Sequence, residues 1–283
     1  MQQKGIHWFP GHMQKALREI EERLKIIDVV VELLDARAPL SSRNKYLYEI
    51  TKQKKRLLVL TKEDLADPIL TKAWKKRFED EVHVVVTGNL NDKKCVESII
   101  TGIKQMGSAK HERDIRRGMK PRPIKTMIIG IPNCGKSTLI NKLAHRKAAS
   151  VQNTPGHTKS QQWIKVDNAF ELLDTPGILP PHYEEKKDAI NLALIGSIKQ
   201  DILPLRDLVD CLLDFIITYY KESLYSLYNI SNDVEEHEEI LRQIAVRRGL
   251  LNRNEYDIEK AEVLLLKEFK SATIGRMTLE RID

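Results

Sequence analysis

One stretch near the middle of the chain restricts the fold more than any other. Residues 130–138 read Gly-Ile-Pro-Asn-Cys-Gly-Lys-Ser-Thr and match the phosphate-loop pattern G-x-x-x-x-G-K-[ST]. The apolar run 126–129 before it predicts a buried parallel strand, and residues 139–143 after it predict a helix. In that setting the N–H groups of the turn and of the helix N-terminus point at phosphate oxygens. The stretch therefore predicts a nucleotide-binding α/β fold.

Several side chains are expected to act on the phosphates and on Mg²⁺. Lys136 can reach the β and γ phosphates, and the Ser137 hydroxyl can hold Mg²⁺. Asp174 ends an apolar run, so its carboxylate can join the Mg²⁺ shell; an ordinary turn carboxylate is the alternative. Thr158 can add a hydroxyl to the same ion, and the N–H of Gly177 can approach the γ phosphate. The loop residues expected to contact nucleotide are Gly130, Pro132, Asn133, Cys134, Gly135, Lys136, Ser137 and Thr138.

A second motif concerns the base. Residues 61–64, Thr-Lys-Glu-Asp, follow the apolar run 56–60 and resemble the N-K-x-D element of guanine-binding proteins. Asp64 can accept hydrogen bonds from guanine N1–H and the exocyclic amine, donors that adenine lacks on that edge. The stem of Lys62 would pack on the base. Because Thr61 stands where Asn is usual, we expect guanine selectivity to remain and affinity to be lower. The loop expected to back the base consists of Thr87, Gly88 and Asn89.

Two similar tripeptides are set aside. Residues 186–188 read Lys-Lys-Asp but follow no strand and lie near an expected helix start. Residues 108–110 read Ser-Ala-Lys, a sequence that also occurs in base-backing loops, but they follow an expected helix.

The order of the motifs is unusual, because the base-reading segment precedes the phosphate loop. Read cyclically from residue 126, the strands fall in the usual order of a small GTPase, so the sequence predicts a circular permutation. We expect an α/β fold: a circularly permuted P-loop GTPase domain with a six-stranded, mostly parallel sheet, followed by an all-α C-terminal domain. The expected strands are residues 28–34, 56–60, 83–86, 126–129, 163–166 and 170–173, and the expected helices among them are residues 13–27, 71–78 and 92–106.

The GTPase domain is expected to cover residues 1–179, with an aromatic arm at 1–12 and a basic, mobile connector at 107–125. The connector is either a solvated linker or a nucleic-acid contact. Residues 180–283 are expected to form a helical domain in which Gly249 and Gly275 stop helices. The helices expected there are residues 189–199, 205–228, 234–248 and 257–271.

Charge and cysteine content bear on partners and location. The 47 basic side chains exceed the 40 acidic ones, which favours a polyanionic partner. Three widely separated cysteines without C-x-x-C spacing indicate a reducing cytoplasm. The first residues lack the apolar core of a signal peptide, and four charged side chains interrupt the apolar segment 202–220, so we expect no membrane association.

The motif set resembles one family over the whole chain. The quoted elements are W-F-P-G-H-M at 8–13, D-A-R-x-P at 35–39, P-G-x-T at 155–158 and D-T-P-G-I at 174–178, in permuted order. Together they resemble the circularly permuted ribosome biogenesis GTPase A (YlqF/RbgA) family. The resemblance implies a GTP-hydrolysing assembly factor for the large (50S) ribosomal subunit. It would bind a late precursor in the GTP state, touch 23S rRNA and ribosomal proteins, leave on hydrolysis, and be a monomer off the ribosome.

The resemblance also implies how GTP is hydrolysed. Ile178 occupies the position where many GTPases place a water-orienting Gln, and an apolar side chain cannot orient water. The family's catalytic histidine corresponds to His12, whose neutral imidazole could polarise water; a structural histidine is the alternative. Asn133 resembles the residue that holds K⁺ in potassium-activated GTPases, or is an ordinary turn Asn.

RNA contact by the helical domain would rest on Arg242, Arg247, Arg248, Arg253, Lys267, Lys270 and Arg276. Two other functions were weighed. One is a GTP-dependent RNA- or particle-binding checkpoint module with negligible intrinsic catalysis, which the missing Gln favours. The other is an ATP-using kinase or helicase, which the guanine-selective Asp64 disfavours.

Overall fold

The computed structural model describes residues 11–81, 84–145, 162–166, 168–175, 177–180, 185–198, 204–252 and 255–282. The nucleotide-binding half alternates strands and helices as the sequence predicts. Its strands are β1 (Val29–Asp35), β2 (Lys55–Thr61), β3 (Val84–Gly88), β4 (Ile124–Gly130), β5 (Gln162–Lys165) and β6 (Phe170–Asp174). Its helices are α1 (Gly11–Leu24), α2 (Lys45–Thr51), α3 (Pro68–Glu79), α4 (Lys93–Arg116) and α5 (Lys136–His145).

The strands form one six-stranded sheet in the order β3-β2-β1-β4-β6-β5. All neighbouring pairs are parallel except β5 with β6. β1 lies between β2 and β4 and is buried along its whole length, which explains its nearly continuous apolar sequence. In register, Asp35 lies opposite Thr61 and Leu33 lies opposite Gly130, so the carboxyl ends of the central strands meet at one edge.

Two hydrophobic clusters on the sheet fix which helices cover which strands. Ile20 of α1 belongs to one cluster with Met127 and Ile129 of β4. Trp74 and Phe78 of α3 are fully buried in a second cluster with residues of β2.

The basic connector expected at residues 107–125 is wrong in its first half, because α4 continues to Arg116. Gly107 marks the expected helix end, yet it lies inside α4, where a Cβ would come within 2.2 Å of Ile124 Cδ1. Glycine therefore permits close packing of α4 on β4, and this contact outweighs its poor helix propensity. The residues after α4 are tied back to it, since Asp114 Oδ1 accepts a hydrogen bond of 2.8 Å from Arg122 Nη2.

Helix α2 was not predicted. It begins directly after the polar loop, where the Asn44 side chain accepts hydrogen bonds from the N–H groups of Tyr46 and Leu47. This is the usual role of Asn at a helix N-terminus. The signal was present in the sequence, but seven residues are too few to display a clear helical period.

Beyond residue 180 the chain is largely helical. The helices are α6 (Lys186–Leu194), α7 (Leu205–Tyr219), α8 (Lys221–Tyr228), α9 (His237–Arg248) and α10 (Ile258–Lys270). Three details differ from expectation. The helix expected at 205–228 is broken at Tyr220, a short hairpin pairs β7 (Leu251–Asn252) with β8 (Glu255–Tyr256), and α10 ends at Lys270, well before Gly275. Gly249 does end α9, in the left-handed conformation.

The two halves share a core. One continuous cluster of buried residues runs from β1 and α4 through α6, α7 and α9 to α10 and includes Leu279 near the end of the chain. Among the residues described, no helix is both long and apolar enough to cross a bilayer.

Candidate nucleotide site

The phosphate loop connects β4 to α5 with the backbone shape that its sequence requires. Gly130 has φ +154°, and a Cβ there would lie 2.8 Å from Leu33 O. Gly135 has φ +107° and faces Leu90, while Asn133 adopts φ +60°. The Cys134 side chain is buried beneath the loop, so Cys134 can offer nucleotide only its backbone.

Lys136 opens α5 and is buried in the loop. Its Nζ donates hydrogen bonds to the carbonyl oxygens of Gly130 (2.9 Å) and Ile131 (2.7 Å). The ammonium is therefore held at the centre of the loop, from which its flexible stem can turn toward phosphates. Ser137 and Thr138 follow on the exposed side of the same helical turn.

The expected Mg²⁺ ligands fit a hard cation as far as they are described. Ser137 is exposed beside Lys136, and β6 ends at Asp174 on the sheet edge that also carries the phosphate loop. Gly177 closes over that loop, since a Cβ there would lie 2.9 Å from Pro132 Cα and 3.0 Å from Lys136 Nζ. Hydroxyl and carboxylate oxygens are the donors that Mg²⁺ prefers. Thr158 and the side chain of Asp174 lie outside the described residues.

The base-reading loop follows β2 and is anchored at Thr61. The Thr61 hydroxyl lies 3.0 Å from Leu34 O and 2.8 Å from Cys134 O, so it can donate to β1 or to the phosphate loop. The Thr61 hydroxyl can thus bridge the base-reading loop and the phosphate loop. Its one proton can be donated to only one of the two carbonyls at a time. The lower affinity expected from Thr61 stays a prediction.

Lys62 and Asp64 complete this loop. Lys62 adopts φ +57°, which turns the chain into a short 3-10 turn, Glu63–Leu65. Its Nζ lies 2.8 Å from Asp35 Oδ2. Asp64 is exposed on the turn, which leaves its carboxylate accessible to a base.

Sequence reasoning assigned no role to Asp35 and Arg37, which lie beneath this loop. Asp35 is fully buried at the end of β1 and accepts bonds from Arg37 Nε (3.0 Å) and Nη2 (2.8 Å). Burial alone would raise the pKa of Asp35, but Arg37 and Lys62 together hold that pKa below its usual value. Arg37 Nη2 also donates to Ile195 O (3.1 Å), at the end of α6. The available signal was an acidic residue closing a buried strand two positions before an arginine.

The base-backing loop 87–89 lies next to the base-reading loop. Gly88 ends β3 opposite Thr61, and a Cβ there would lie 2.6 Å from Cys95 Sγ. The Asn89 side chain accepts a hydrogen bond of 2.8 Å from the N–H of Asn91 and so shapes the turn. Leu90 in turn packs on Gly135 of the phosphate loop.

The two tripeptides set aside lie in helices. Lys110 Nζ, inside α4, bonds to Asp28 Oδ2 (2.6 Å) and Pro123 O (2.8 Å). Residues 186–188 form the first turn of α6. Neither tripeptide follows the end of a strand, as the base-reading segment does.

The residues expected to govern hydrolysis are described in part. Ile178 is 1% exposed and shares a hydrophobic cluster with Leu17 and Ile20 of α1, so it is a core residue. α1 begins at Gly11, so His12 lies in the first turn of α1. The same helix packs beside Ile178. The side chain of His12 lies outside the described residues.

Asn133, the expected K⁺ ligand, contacts the helical half, the described part of the chain beyond residue 180. Its Nδ2 donates a hydrogen bond of 2.8 Å to Gly196 O, in the turn after α6. The side-chain oxygen of Asn133 is the atom that could hold a cation.

The basic residues expected to bind RNA fall into two groups. Arg242, Arg247 and Lys267 are exposed, and Arg242 forms only a 3.5 Å pair with Glu239 on its own helix. The others are bonded or partly buried: Arg248 is exposed but pairs with Glu268 at 2.6 Å, and Arg276 is exposed but bonds to the base-reading loop. Lys270 is partly buried near Arg37, and burial lowers its pKa. Arg253 lies outside the described residues.

Strand order, phosphate loop and base-reading loop define a circularly permuted P-loop GTPase. Residues 125–248 match the family described as 50S ribosome-binding GTPase. The chain is 44% identical over 276 residues to ribosome biogenesis GTPase A of Bacillus cereus, covering 97% of this chain and 93% of that protein. It is 32% identical to the Thermotoga maritima protein of the same name over 98% of this chain and 94% of that protein. The structure of GNP-bound YlqF from T. maritima superposes with a TM-score of 0.61 at 28% identity, over 94% of this chain and 98% of that one.

The chain belongs to the ribosome biogenesis GTPase A family. The sequence resemblance, the fold class and GTP hydrolysis as the activity are thereby confirmed.

Proposed function

We propose that this GTPase binds a late precursor of the large ribosomal subunit in its GTP state and leaves the particle after hydrolysis. The observation that carries the proposal is the hydrogen bond from Asn133, in the phosphate loop, to Gly196 in the helical half. A change at the phosphates can pass through this contact to the surface that would face RNA. The name of the matching family, 50S ribosome-binding GTPase, supports the choice of particle.

In this proposal the nucleotide is held from three strand ends. The backbone N–H groups of the phosphate loop and Lys136 bind the β and γ phosphates, and Asp64 reads guanine. Ser137, Thr158 and Asp174 would hold Mg²⁺, which neutralises charge between the β and γ phosphates. The domain division at residue 179, a monomeric state off the ribosome and a cytoplasmic location belong to the same proposal.

His12 is proposed to orient the attacking water, because Ile178 is occupied by core packing. The His12→Ala variant should keep GTP affinity and lose about a hundredfold in particle-stimulated turnover. Single-turnover hydrolysis with and without large-subunit precursors measures this. His111→Ala is the control, because His111 lies in α4 with its ring 3.0 Å from Arg122 O. Unchanged stimulation in His12→Ala would remove His12 from the mechanism.

The same experiment distinguishes the alternative, a checkpoint module with negligible intrinsic catalysis. The buried Ile178 favours a slow unaided rate. A particle that raises the rate supports the assembly-GTPase proposal, and a particle that binds without raising it supports the checkpoint. Retention of the particle with a non-hydrolysable GTP analogue and its release with GDP would establish the cycle.

Potassium activation and RNA contact are further parts of the proposal. If Asn133 holds K⁺ beside the phosphates, hydrolysis should be faster in KCl than in NaCl at equal ionic strength; equal rates would contradict the role. RNA contact is assigned first to Arg242, Arg247 and Lys267, which are exposed on α9 and α10. Arg248 and Arg276 are also exposed, but they bond to Glu268 and to Glu63 O. Replacing the first three with Ala should lower particle affinity and flatten its salt dependence.

A further inference from the structure

The chain end lies on the base-reading loop. Residues 272–282, here called the C-terminal segment, follow α10 and return to the nucleotide-binding half. The N–H of Met277 donates to Leu65 O (3.2 Å), and the N–H of Leu279 donates to Arg37 O (2.7 Å). The indole of Trp74 donates to Glu280 O (3.2 Å). The segment thus contacts both the base-reading loop and the polar loop after β1.

Arg276 makes the most direct contact with the base-reading loop. Its Nη2 donates to Glu63 O at 2.6 Å, and its Nε donates to Ala66 O at 2.9 Å. These two carbonyls bracket Asp64, and a planar guanidinium fixes the distance between two acceptors. The turn that carries Asp64 is closed by its own bonds, from Leu65 N–H to Lys62 O (2.9 Å) and from Ala66 N–H to Glu63 O (3.3 Å). Arg276 braces this turn from outside by holding two of its carbonyls.

The other end of the loop is held by different groups. Thr61 is anchored to β1 and the phosphate loop, and Lys62 is paired with Asp35. Within the part of this loop that the structure describes, the stretch from Glu63 to Ala66 is the one bonded to the C-terminal segment. One end of the base-reading loop is therefore held at the sheet, and Arg276 contacts the other end.

We propose that Arg276 is a positioning residue for guanine recognition. By clamping Glu63 O and Ala66 O, it holds Asp64 where the carboxylate can accept bonds from both guanine N1–H and the exocyclic amine. The proposal rests on the guanine-reading role proposed for Asp64. It also makes nucleotide affinity depend on how the helical half seats the chain end.

Substitution of Arg276 is expected to leave the segment in place. Glu280 is buried, and its carboxylate accepts a bond of 2.7 Å from the N–H of Ser41. Thr278 is fully buried, and its hydroxyl accepts a bond from the N–H of Asp67 (3.1 Å). These anchors do not involve Arg276.

The test compares GDP with IDP, which lacks the exocyclic amine. Arg276→Ala should weaken GDP binding about fivefold and IDP binding less, so that the preference for GDP over IDP shrinks. Arg276→Lys should lose part of the preference, because an ammonium lacks the planar fork of donors that spans the two carbonyls. The control is Arg281→Ala, which removes the same charge from the same segment but whose side chain contacts Tyr219 and Tyr220. Titration calorimetry with both nucleotides provides the affinities.

A second variant separates this inference from the role of Asp64. Asp64→Asn should transfer preference from GDP to XDP, because an amide can donate to the xanthine 2-carbonyl. If that transfer fails, the guanine-reading role of Asp64 is wrong. If it succeeds while Arg276→Ala and Arg276→Lys keep the full GDP preference, the positioning role of Arg276 is overturned. A lower melting temperature in both Arg276 variants with an unchanged GDP-to-IDP ratio overturns it as well.

Discussion

The ammonium of Lys136 shows how this fold accommodates a positive charge inside the protein. Two carbonyl oxygens of its own loop accept its hydrogen bonds, so the buried cation is solvated by backbone. Phosphate oxygens can replace those carbonyls without any change in the fold. The free-energy cost of burying the Lys136 ammonium is thus small.

Lys136→Ala should therefore separate binding from folding. GTP affinity is expected to fall by about one to two orders of magnitude, because bonds to a charged group are lost. The melting temperature without nucleotide should change little. Calorimetric titration and thermal unfolding measure the two effects, with exposed Lys142→Ala on α5 as control. Equal affinity in both variants would contradict phosphate contact by Lys136.

The carboxylate of Asp35 is important for stability, because it is the counter-ion of both Arg37 and Lys62. Asp35→Asn should destabilise the protein by about 3 kcal/mol at pH 7, since two cations lose their counter-ion. The folded pKa of Asp35 is lowered, so its contribution is complete above the unfolded value, about 3.9, and is lost as pH falls toward the folded value. The difference between wild type and variant should therefore shrink below about pH 4. Urea unfolding across pH, with exposed Asp207→Asn as control, checks this.

At the scale of elements, the break between α7 and α8 shows tertiary contacts overriding a local pattern. The sequence 205–228 has helical spacing throughout, yet Tyr220 leaves the helix with φ −141°. Its hydroxyl donates to Asp67 Oδ2 (2.9 Å), at the N-terminus of α3, and accepts from the N–H of Thr278 (3.3 Å). Burial first, and then Asp67, raise the pKa of Tyr220 to about 12.

Tyr220→Phe keeps the ring and removes these bonds. We expect a loss of about 1 kcal/mol in the free energy of unfolding, because one buried network loses its central hydroxyl. Tyr219→Phe is the matched control, since that ring is half exposed. Chemical denaturation of the two variants gives the comparison, and equal stability would show that the junction does not depend on the hydroxyl.

At the scale of the whole molecule, the nucleotide-binding and helical halves are joined by one continuous core and by Arg37. This guanidinium is 2% exposed and donates to Asp35, to Ile195 O and to Lys270 O. It therefore links the end of β1 to the ends of α6 and α10. Without nucleotide we expect the halves to unfold together.

Arg37→Met retains side-chain volume and removes the link. It should destabilise the protein by about 3 kcal/mol, because the Asp35 carboxylate keeps Lys62 and the backbone N–H of residue 37 but loses the guanidinium. It should also separate two transitions, the loss of helical signal by circular dichroism and the loss of GDP binding, which we expect to coincide in the wild type. The control is Lys62→Met, which removes the other charged partner of Asp35 but no contact with the helices. In this control the two transitions should still coincide. Coincident transitions in Arg37→Met would show that the apolar core alone couples the halves.

Much of the nucleotide-binding half could be predicted because its signals are local. Apolar runs located the strands, and the spacing of glycine, lysine and serine located the phosphate loop. The position of the base-reading motif before that loop then determined the permuted order. By contrast, Gly107 read locally as a helix end, and only its contact with Ile124 shows why α4 continues.

The sequence by itself determined the class of fold, the phosphate loop and the family, since each rests on short motifs whose residues are close together in the chain. It predicts the base-reading loop in the same way. Tertiary structure decided the pairing of Asp35 with Arg37 and Lys62, the bond from Asn133 to Gly196, and the return of the C-terminal segment to the base-reading loop. From the sequence, Arg276 is a candidate RNA contact, because the sequence shows its charge but not its hydrogen-bond acceptors. Its acceptors lie more than two hundred residues away. Hydrogen bonds over such separations depend on the packing of the whole chain, and no local pattern encodes them.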